Sequence, residues 1–259
     1  MLDHRKAEQA PSLLAYVLRE CRDRAGLSRA QVAIRGNISA SSIEKWELQG
    51  SIPTPDSLAG WFIAVDPPEI YRDRILSLTL QKMFPKELGQ RGPFPAQIDE
   101  DDLRHLDAFP HPACYHHTTV FDIAAANDAF YQRFQGLKQI EAFVDGPPNL
   151  LVWQMCHRAA RVQIGSWYDR THVMLTRFRI EGPGSVPAER IEEITAACRQ
   201  APEFEAMWRS DPTPELFDDP TLTLLGDDDS TWENYTMRTY LCGGHGDSLS
   251  LLAVVPTGT

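Results

Sequence analysis

Leu13, Leu14, Val17, Leu18 and Cys21 recur at three- and four-residue intervals, which predicts an opening helix with one apolar stripe. Arg19, Arg22 and Arg24 fall off that stripe. A second helix starts after Ser28, a capping residue, with Leu27 packed just before it and Val32 and Ala33 on its inner face. Asn37 suits a turn that needs left-handed backbone, and Ile38 anchors that turn. Ser39 caps a third helix, on which Ile43 and Trp46 share a face with Ile38. Its other face carries Ala40, Ser41, Glu44 and Lys45, with nothing large or apolar among them. Pro53-Thr54-Pro55 opens a fourth helix with Leu58, Trp61 and Phe62 inward. Glu69 to Met83 forms a fifth, with Ile70, Ile75, Leu76, Leu78 and Leu80 toward the core.

Between Pro85 and Gln97 the residues Gly89, Gly92, Pro93 and Pro95 cluster, and the pattern changes. Leu103 to Phe109 reads as a short helix ended by Pro110. Ala113 to His117 and Val120 to Ala124 read as two strands around a turn, followed by a helix over Asn127 to Phe134. A loop with Pro147-Pro148 leads to an apolar helical patch at Leu150, Leu151 and Trp153. Thr171 to Ile180 and Pro187 to Arg199 are helical in pattern, and Phe204 and Trp208 are spaced one helical turn apart. From Leu222 to Val255 the alternation predicts two or three antiparallel strands, with Gly243-Gly244-His245-Gly246 as the last hairpin turn. The fold class is α+β: an N-terminal all-α five-helix domain over 1–85, a linker over 86–98, and an α+β domain with an antiparallel sheet over 99–259.

The third helix is the feature with the plainest chemistry. A helix, a tight turn and a second helix with a small polar face make a helix-turn-helix, whose second helix reads the major groove while the first crosses the phosphate backbone. Arg29 and Arg35 are the expected phosphate contacts, and Ser39, Ala40, Ser41, Ser42, Glu44 and Lys45 the residues toward the bases. Lys pairs best with guanine and Glu accepts from cytosine. The bland alternative is a helical hairpin that touches no nucleic acid. Residues Leu13 to about Leu80 resemble the DNA-binding domain of the XRE family, the Cro and phage-repressor type. The resemblance is carried by Ala33, by the turn at Asn37, by the Trp46-Glu47 pair and by Gly50. Arg29 stands where the family often has Gln, and Gly36 where it often has Leu. Gly36 is expected to remove a core side chain and loosen the helix end by up to ~1 kcal/mol relative to Ala. The resemblance implies a homodimer on a double-stranded DNA operator.

Net charge is −11 over 259 residues, which at first opposes DNA binding. The charge is uneven, however. Met1 to Lys45 carries eight Lys/Arg (Arg5, Lys6, Arg19, Arg22, Arg24, Arg29, Arg35 and Lys45) against five Asp/Glu. The acidic excess falls later, at Asp99-Glu100-Asp101-Asp102, Asp218-Asp219 and Asp227-Asp228-Asp229, and local charge decides phosphate contact. Such runs are usually solvated surface. The absence of an apolar leader or of a run near ~20 apolar residues, with an odd five cysteines, implies a cytoplasmic protein that does not enter membranes.

The second domain has the outline of a PAS-like sensor: strand, strand, helix, a helical insertion, then closing strands. It resembles the MmyB-like transcription regulators at Leu106-Asp107-Ala108-Phe109-Pro110-His111-Pro112-Ala113, Ile123-Ala124-Ala125-Ala126-Asn127, Asn149-Leu150-Leu151, Trp167 and Pro202-Glu203-Phe204-Glu205-Ala206-Met207-Trp208. Ala126 stands where that family tends to have Trp, and Asp219-Pro220-Thr221-Leu222 replaces the usual opening of its C-terminal hairpin. The resemblance implies a small hydrophobic, fatty-acid-like ligand. Tyr115, Phe121, Phe130, Phe134, Leu151, Trp153, Met155 and Tyr235 are the expected apolar lining, with Asn127 or His117 at one end. For each of these residues a plain core role is the rival. Ala126 would enlarge the cavity unless neighbours such as Phe121 fill it.

Cys114-Tyr115-His116-His117, Cys156-His157 and Cys242-Gly243-Gly244-His245 raise a metal or haem reading, but the pairs are scattered, and His116 and His117 on one strand point to opposite faces. No metal or cofactor is expected beyond a bound hydrophobic molecule. Asp227-Asp228-Asp229 lacks the Gly and closing Glu of a calcium loop. No phosphate loop, serine elbow or metalloprotease helix is present, so an enzyme is not the expected function. Two function classes stand: a ligand-responsive DNA-binding regulator, and a regulator controlled by a protein partner through its C-terminal domain, with no small ligand. An internal cavity favours the first, and an undivided interior with an exposed apolar patch the second.

Overall fold

A computed structural model describes residues 12–88, 94–138, 146–226, 230–242 and 248–257. The chain falls into two units, Met1–Gln90 and Arg91–Thr259. Gly89, Gly92 and Pro93 of the expected linker, Asp227-Asp228-Asp229 and the expected turn at Gly243 to Gly246 lie outside the described residues.

The first unit contains α1 (Leu13–Arg24), α2 (Arg29–Gly36), α3 (Ala40–Gln49), α4 (Pro55–Val65), α5 (Glu69–Met83) and the short α6 (Pro85–Leu88). Side-chain hydroxyls of Ser12, Ser28, Ser39 and Thr54 each accept a backbone N–H at a helix start, an interaction worth about 1 kcal/mol apiece. Asn37, Gly50 and Asp66 then turn the chain through left-handed backbone at φ 51°, 66° and 45°. Leu14, Leu18, Val32, Ile43, Trp61 and Ile75 are buried between these helices.

Three sequence expectations change here. Leu76 and Leu80 are exposed, because Tyr71, Ile75, Leu78 and Thr79 take the inner face of α5. Arg22 lies off the apolar stripe but is buried, since Glu47 neutralises it inside the unit. Gly36 is not a missing core side chain. A Cβ on Gly36 would lie 2.6 Å from the Gly60 carbonyl oxygen, and a Cβ on Gly60 would lie 2.3 Å from that of Gly36. The two helices meet backbone to backbone there, and only glycine fits.

The second unit is built on β1 (Ala113–His117), β2 (Ile123–Ala126), β3 (Thr221–Leu225), β4 (Trp232–Leu241) and β5 (Leu249–Pro256). These pair antiparallel in the order β2-β1-β5-β4-β3. The helices are α7 (Glu100–Asp107), α8 (Asp128–Arg133), α9 (Leu150–Cys156), α10 (Arg158–Gln163), α11 (Trp167–Glu181), α12 (Ala188–Cys198), α13 (Phe204–Arg209) and α14 (Glu215–Asp218). Five long helices and the short α6, then a mixed unit with an antiparallel sheet, make the α+β architecture that the sequence implied. One sheet face sends Cys114, Leu222, Leu224, Leu252 and Val254 into the main core. The other sends Ala113, Tyr115, Leu251 and Ala253 against Leu106 of α7.

The second strand starts at Ile123 rather than Val120. Phe121 takes left-handed backbone at φ 64°, which strand geometry does not allow. A buried network holds this turn. Arg190 of α12 donates to both Asp122 oxygens at 3.0 and 2.6 Å, and Asn149 Nδ2 donates to Asp122 Oδ1 and to the Val120 carbonyl, each at 2.7 Å. A strained residue persists where its surroundings over-determine it, and Phe121 sits at the edge of a cavity.

Candidate functional site

Each unit carries its own candidate site. On the first, Ala40, Ser41, Glu44 and Lys45 of α3 are exposed, while Ile43, Trp46 and Glu47 are buried. The serines at the helix start bond to one another. Ser39 Oγ accepts from the Ser42 backbone N–H at 3.0 Å and lies 3.1 Å from Ser41 Oγ and 2.7 Å from Ser42 Oγ. Arg35 is exposed and makes no ion pair among the described residues. Arg29 behaves differently: its Nε donates to Glu47 Oε2 at 2.8 Å.

Glu47 explains the geometry of that surface. It is 2% exposed, and Arg22 holds it with two hydrogen bonds, from Nε at 2.6 Å and from a terminal nitrogen at 2.9 Å. Arg22 also donates to the Leu27 carbonyl at 2.8 Å. The Glu47 carboxylate raises the Arg22 pKa further, against the effect of burial. One carboxylate on α3 thereby ties down arginines from α1 and α2 and sets the angle at which α3 presents its exposed face. The sequence showed the Trp46-Glu47 pair but not its partners, because Arg22 looked like one surface arginine among several.

The second unit contains a cavity of about 500 Å³ between the sheet and the helices α8, α9, α11 and α14. Of the expected lining, Phe121, Phe130, Phe134 and Trp153 face it. The other expected ligand residues do not, each for a structural reason. Tyr115 and His117 alternate onto the far sheet face, where the Tyr115 hydroxyl meets His105 Nδ1 at 3.0 Å and the His117 ring meets Phe94 edge-on. Asn127 is consumed as a pin. Its Oδ1 accepts from Phe130 N and Ala113 N at 2.9 and 3.1 Å, and its Nδ2 donates to the His111 carbonyl at 2.9 Å. Leu151 and Met155 are fully buried on the side of α9 turned away from the cavity. Tyr235 donates to Glu233 and lies under the Arg133 guanidinium.

Other residues complete the wall. β1 contributes His116 rather than His117; β5 contributes Ser250, Leu252 and Val254; α9 adds Gln154. Along α11, Arg170, Val173, Met174, Arg177 and Glu181 form a stripe at helical spacing. Arg170 is bound to Asp219, and Arg177 donates to the Phe217 carbonyl at 3.1 Å. Asp219 hydrogen-bonds Thr221 and Arg170, which hold its carboxyl below the usual range. Ala126 does not line the cavity, whereas Asp219, Pro220 and Leu222 do, so of the two departures from the family pattern only the second reaches the wall. The signal for Ser250 and Gln154 was available: each is a lone polar residue in an apolar run, Leu249 to Val255 and Leu150 to Cys156.

Burial pushes the His116 and His117 pKa values down to about 4, and those of the Cys114 and Cys198 thiols upward. None of the five cysteines forms a disulfide. Among the described residues no three His, Cys, Asp or Glu side chains converge to hold a metal ion, and no helix is long and apolar enough to cross a membrane. No curated protein matches the chain. Residues 100–221, which supply the helical wall of the cavity and the strands β1 and β2 of the sheet, match the family model of the MmyB-like transcription regulator ligand binding domain.

Proposed function

We propose that this protein is a sequence-specific DNA-binding transcriptional regulator of the XRE type, acting as a homodimer, whose PAS-like C-terminal domain senses a small hydrophobic, fatty-acid-like ligand. Residues 1–85 form the DNA-binding domain, 86–98 the linker and 99–259 the sensor. The observation that carries this reading is a cavity of about 500 Å³, walled mainly by aromatic and aliphatic side chains with Arg170, Arg177, Glu181, Asp218 and Asp219 along one side, largely inside the region similar to a regulator ligand-binding domain. That volume is within the range of sites for drug-sized molecules, and it disfavours the partner-controlled alternative with an undivided interior. The small polar face of α3 supports the DNA half, with Ala40, Ser41, Ser42, Glu44 and Lys45 toward base edges and Ser39 at the helix start. Arg35 contacts phosphate; Arg29 does so only with the nitrogens that Glu47 leaves over. A ligand changes DNA affinity by binding one arrangement of the dimer more tightly than another.

Native mass spectrometry of freshly purified protein, before and after denaturation, tests the sensor half. A released small molecule is the expected result. Selection of duplexes from a random pool tests the other half, and enriched sequences should contain two half-sites about one DNA turn, ~34 Å, apart. Absence of any enriched sequence overturns the DNA-binding reading. A protein that holds no small molecule and takes up no apolar one overturns the sensor reading and leaves a partner-controlled regulator.

A further inference from the structure

The apolar cavity holds three polar side chains that the fold itself does not use. His116, Ser250 and Gln154 all line it and are 6%, 2% and 5% exposed. His116 and Ser250 are cross-strand neighbours on β1 and β5, and Gln154 reaches the cavity from α9. Among the described residues the His116 ring makes one hydrogen bond, from Nδ1 to the His117 carbonyl at 3.0 Å. The Ser250 hydroxyl and the Gln154 side-chain amide make none. Buried polar groups are almost always satisfied. Solvent can serve these three while the cavity holds only water. A ligand that displaces that water without replacing its hydrogen bonds loses affinity.

The His116 bond sets the sign of what is missing. A carbonyl oxygen only accepts, so Nδ1 carries the ring hydrogen and Nε2 presents a lone pair. Burial pushes the pKa down to about 4, against the hydrogen bond to the His117 carbonyl, so the ring is neutral near pH 7. The ring stacks on Phe121, at 6.1 Å between centroids, and this fixes its orientation beside the strained turn. A neutral lone pair in an apolar wall attracts a hydrogen-bond donor and repels a carboxylate. Ser250 and Gln154 both donate and accept, so they can complete the bonds of a hydroxyl or an amide. The arginines of the wall, Arg170 and Arg177, are already engaged by Asp219 and by the Phe217 carbonyl.

We propose that the ligand of this cavity carries an uncharged hydrogen-bond donor, a hydroxyl or an amide N–H, on an apolar body, and that His116 accepts that hydrogen bond through Nε2. The proposal rests on the reading of the second unit as a hydrophobic-ligand domain; it keeps the apolar body of a fatty-acid-like ligand and replaces the ionised acid with an alcohol- or amide-type head.

Calorimetric titration of the full-length protein with 1-decanol and with decanoate at pH 7.5 separates the two heads on one chain. The alcohol should bind about tenfold tighter or more, as expected when a buried partner is satisfied in one ligand and not in the other. The preference should shrink below about threefold in His116→Phe, and Ser250→Ala, a smaller change, should reduce it in the same direction. Leu252→Trp, which fills the cavity, should abolish binding of both. Decanoate binding as well as or better than the alcohol, with both lost in Leu252→Trp, overturns the head-group inference and leaves the hydrophobic-ligand reading standing. An alcohol preference unchanged in both folded polar variants overturns the role of His116. Failure of both molecules to bind overturns the inference and the ligand reading together.

Discussion

Both units hold their candidate site in place with a buried arginine–carboxylate pair, and the comparison separates an outward-facing site from an inward-facing one. In the first unit Arg22 and Glu47 join α1 to α3, and everything they position points to solvent. In the second, Arg190 and Asp122 join α12 to the turn at Phe121, and what they position points into a cavity. An outward site leaves a trace in the hydrophobic pattern, because its residues are polar where the helix would otherwise be free to vary. An inward site leaves little trace, because an apolar wall and an apolar core have the same composition. Asn127 and Phe130 illustrate the point. Both are buried in the same stretch, yet one is a backbone pin and the other lines the cavity.

The strongest way to break the comparison is to remove the carboxylates. Glu47→Ala and Asp122→Ala each leave a buried arginine without its main partner, a loss of about 3–5 kcal/mol. Hydrogen exchange read by mass spectrometry should show faster exchange in the first unit alone for Glu47→Ala, and in the second alone for Asp122→Ala. Equal changes in both units from either variant would show that the units do not fold independently.

Acid should weaken the second unit through its buried histidines. The folded pKa of His116, about 4, lies below its ordinary value of 6.5, so the unfolded chain takes up the proton first as pH falls. The stability linked to this group is complete above about 6.5 and is lost as pH falls to about 4. The loss is up to roughly 3 kcal/mol for His116, and His117 adds its own in the same direction. Urea midpoints at pH 7.5 and 4.5 should therefore differ less in His116→Phe than in the unmodified protein. An unchanged difference would mean that His116 is not held neutral.

Gly36→Ala sharpens the account of the first unit. Helix propensity alone favours alanine by about 1 kcal/mol, whereas the backbone contact with Gly60 predicts a loss of about 1–3 kcal/mol from overpacking. A melting temperature that rises rather than falls would remove the close approach of α2 and α4. Smaller still are the effects at the surface of α3. Lys45→Ala should relax sequence preference by about 1–3 kcal/mol at one base pair. Arg35→Ala should weaken all sequences alike and lower the salt slope by about one. Competition binding on matched and mismatched duplexes distinguishes the two, and identical profiles would mean that α3 does not read bases.

Much of the architecture was legible because its causes are local. Ser28 and Ser39 announce helix starts through their own hydrogen bonds, Asn37 announces the turn through its tolerance of left-handed backbone, and the spacing of Ile43 and Trp46 selects the inner face of α3. The bulge between Tyr115 and His116 and the left-handed Phe121 were not legible, because neither residue type favours those geometries on its own. They arise from the Asp122, Asn149 and Arg190 network, whose members are up to 68 residues apart in the chain. The amino-acid order by itself determined the five long helices of the first unit, the caps at Ser28 and Ser39, the polar face of α3 and the presence of antiparallel strands, but not the short α10 and α14. Only the tertiary structure decided that His116 rather than His117 faces the cavity, that Gly36 is held against Gly60, and that Arg22 is buried. Each of these depends on which distant backbone or charge arrives opposite the residue, and a one-residue change of strand face is enough to exchange wall for exterior.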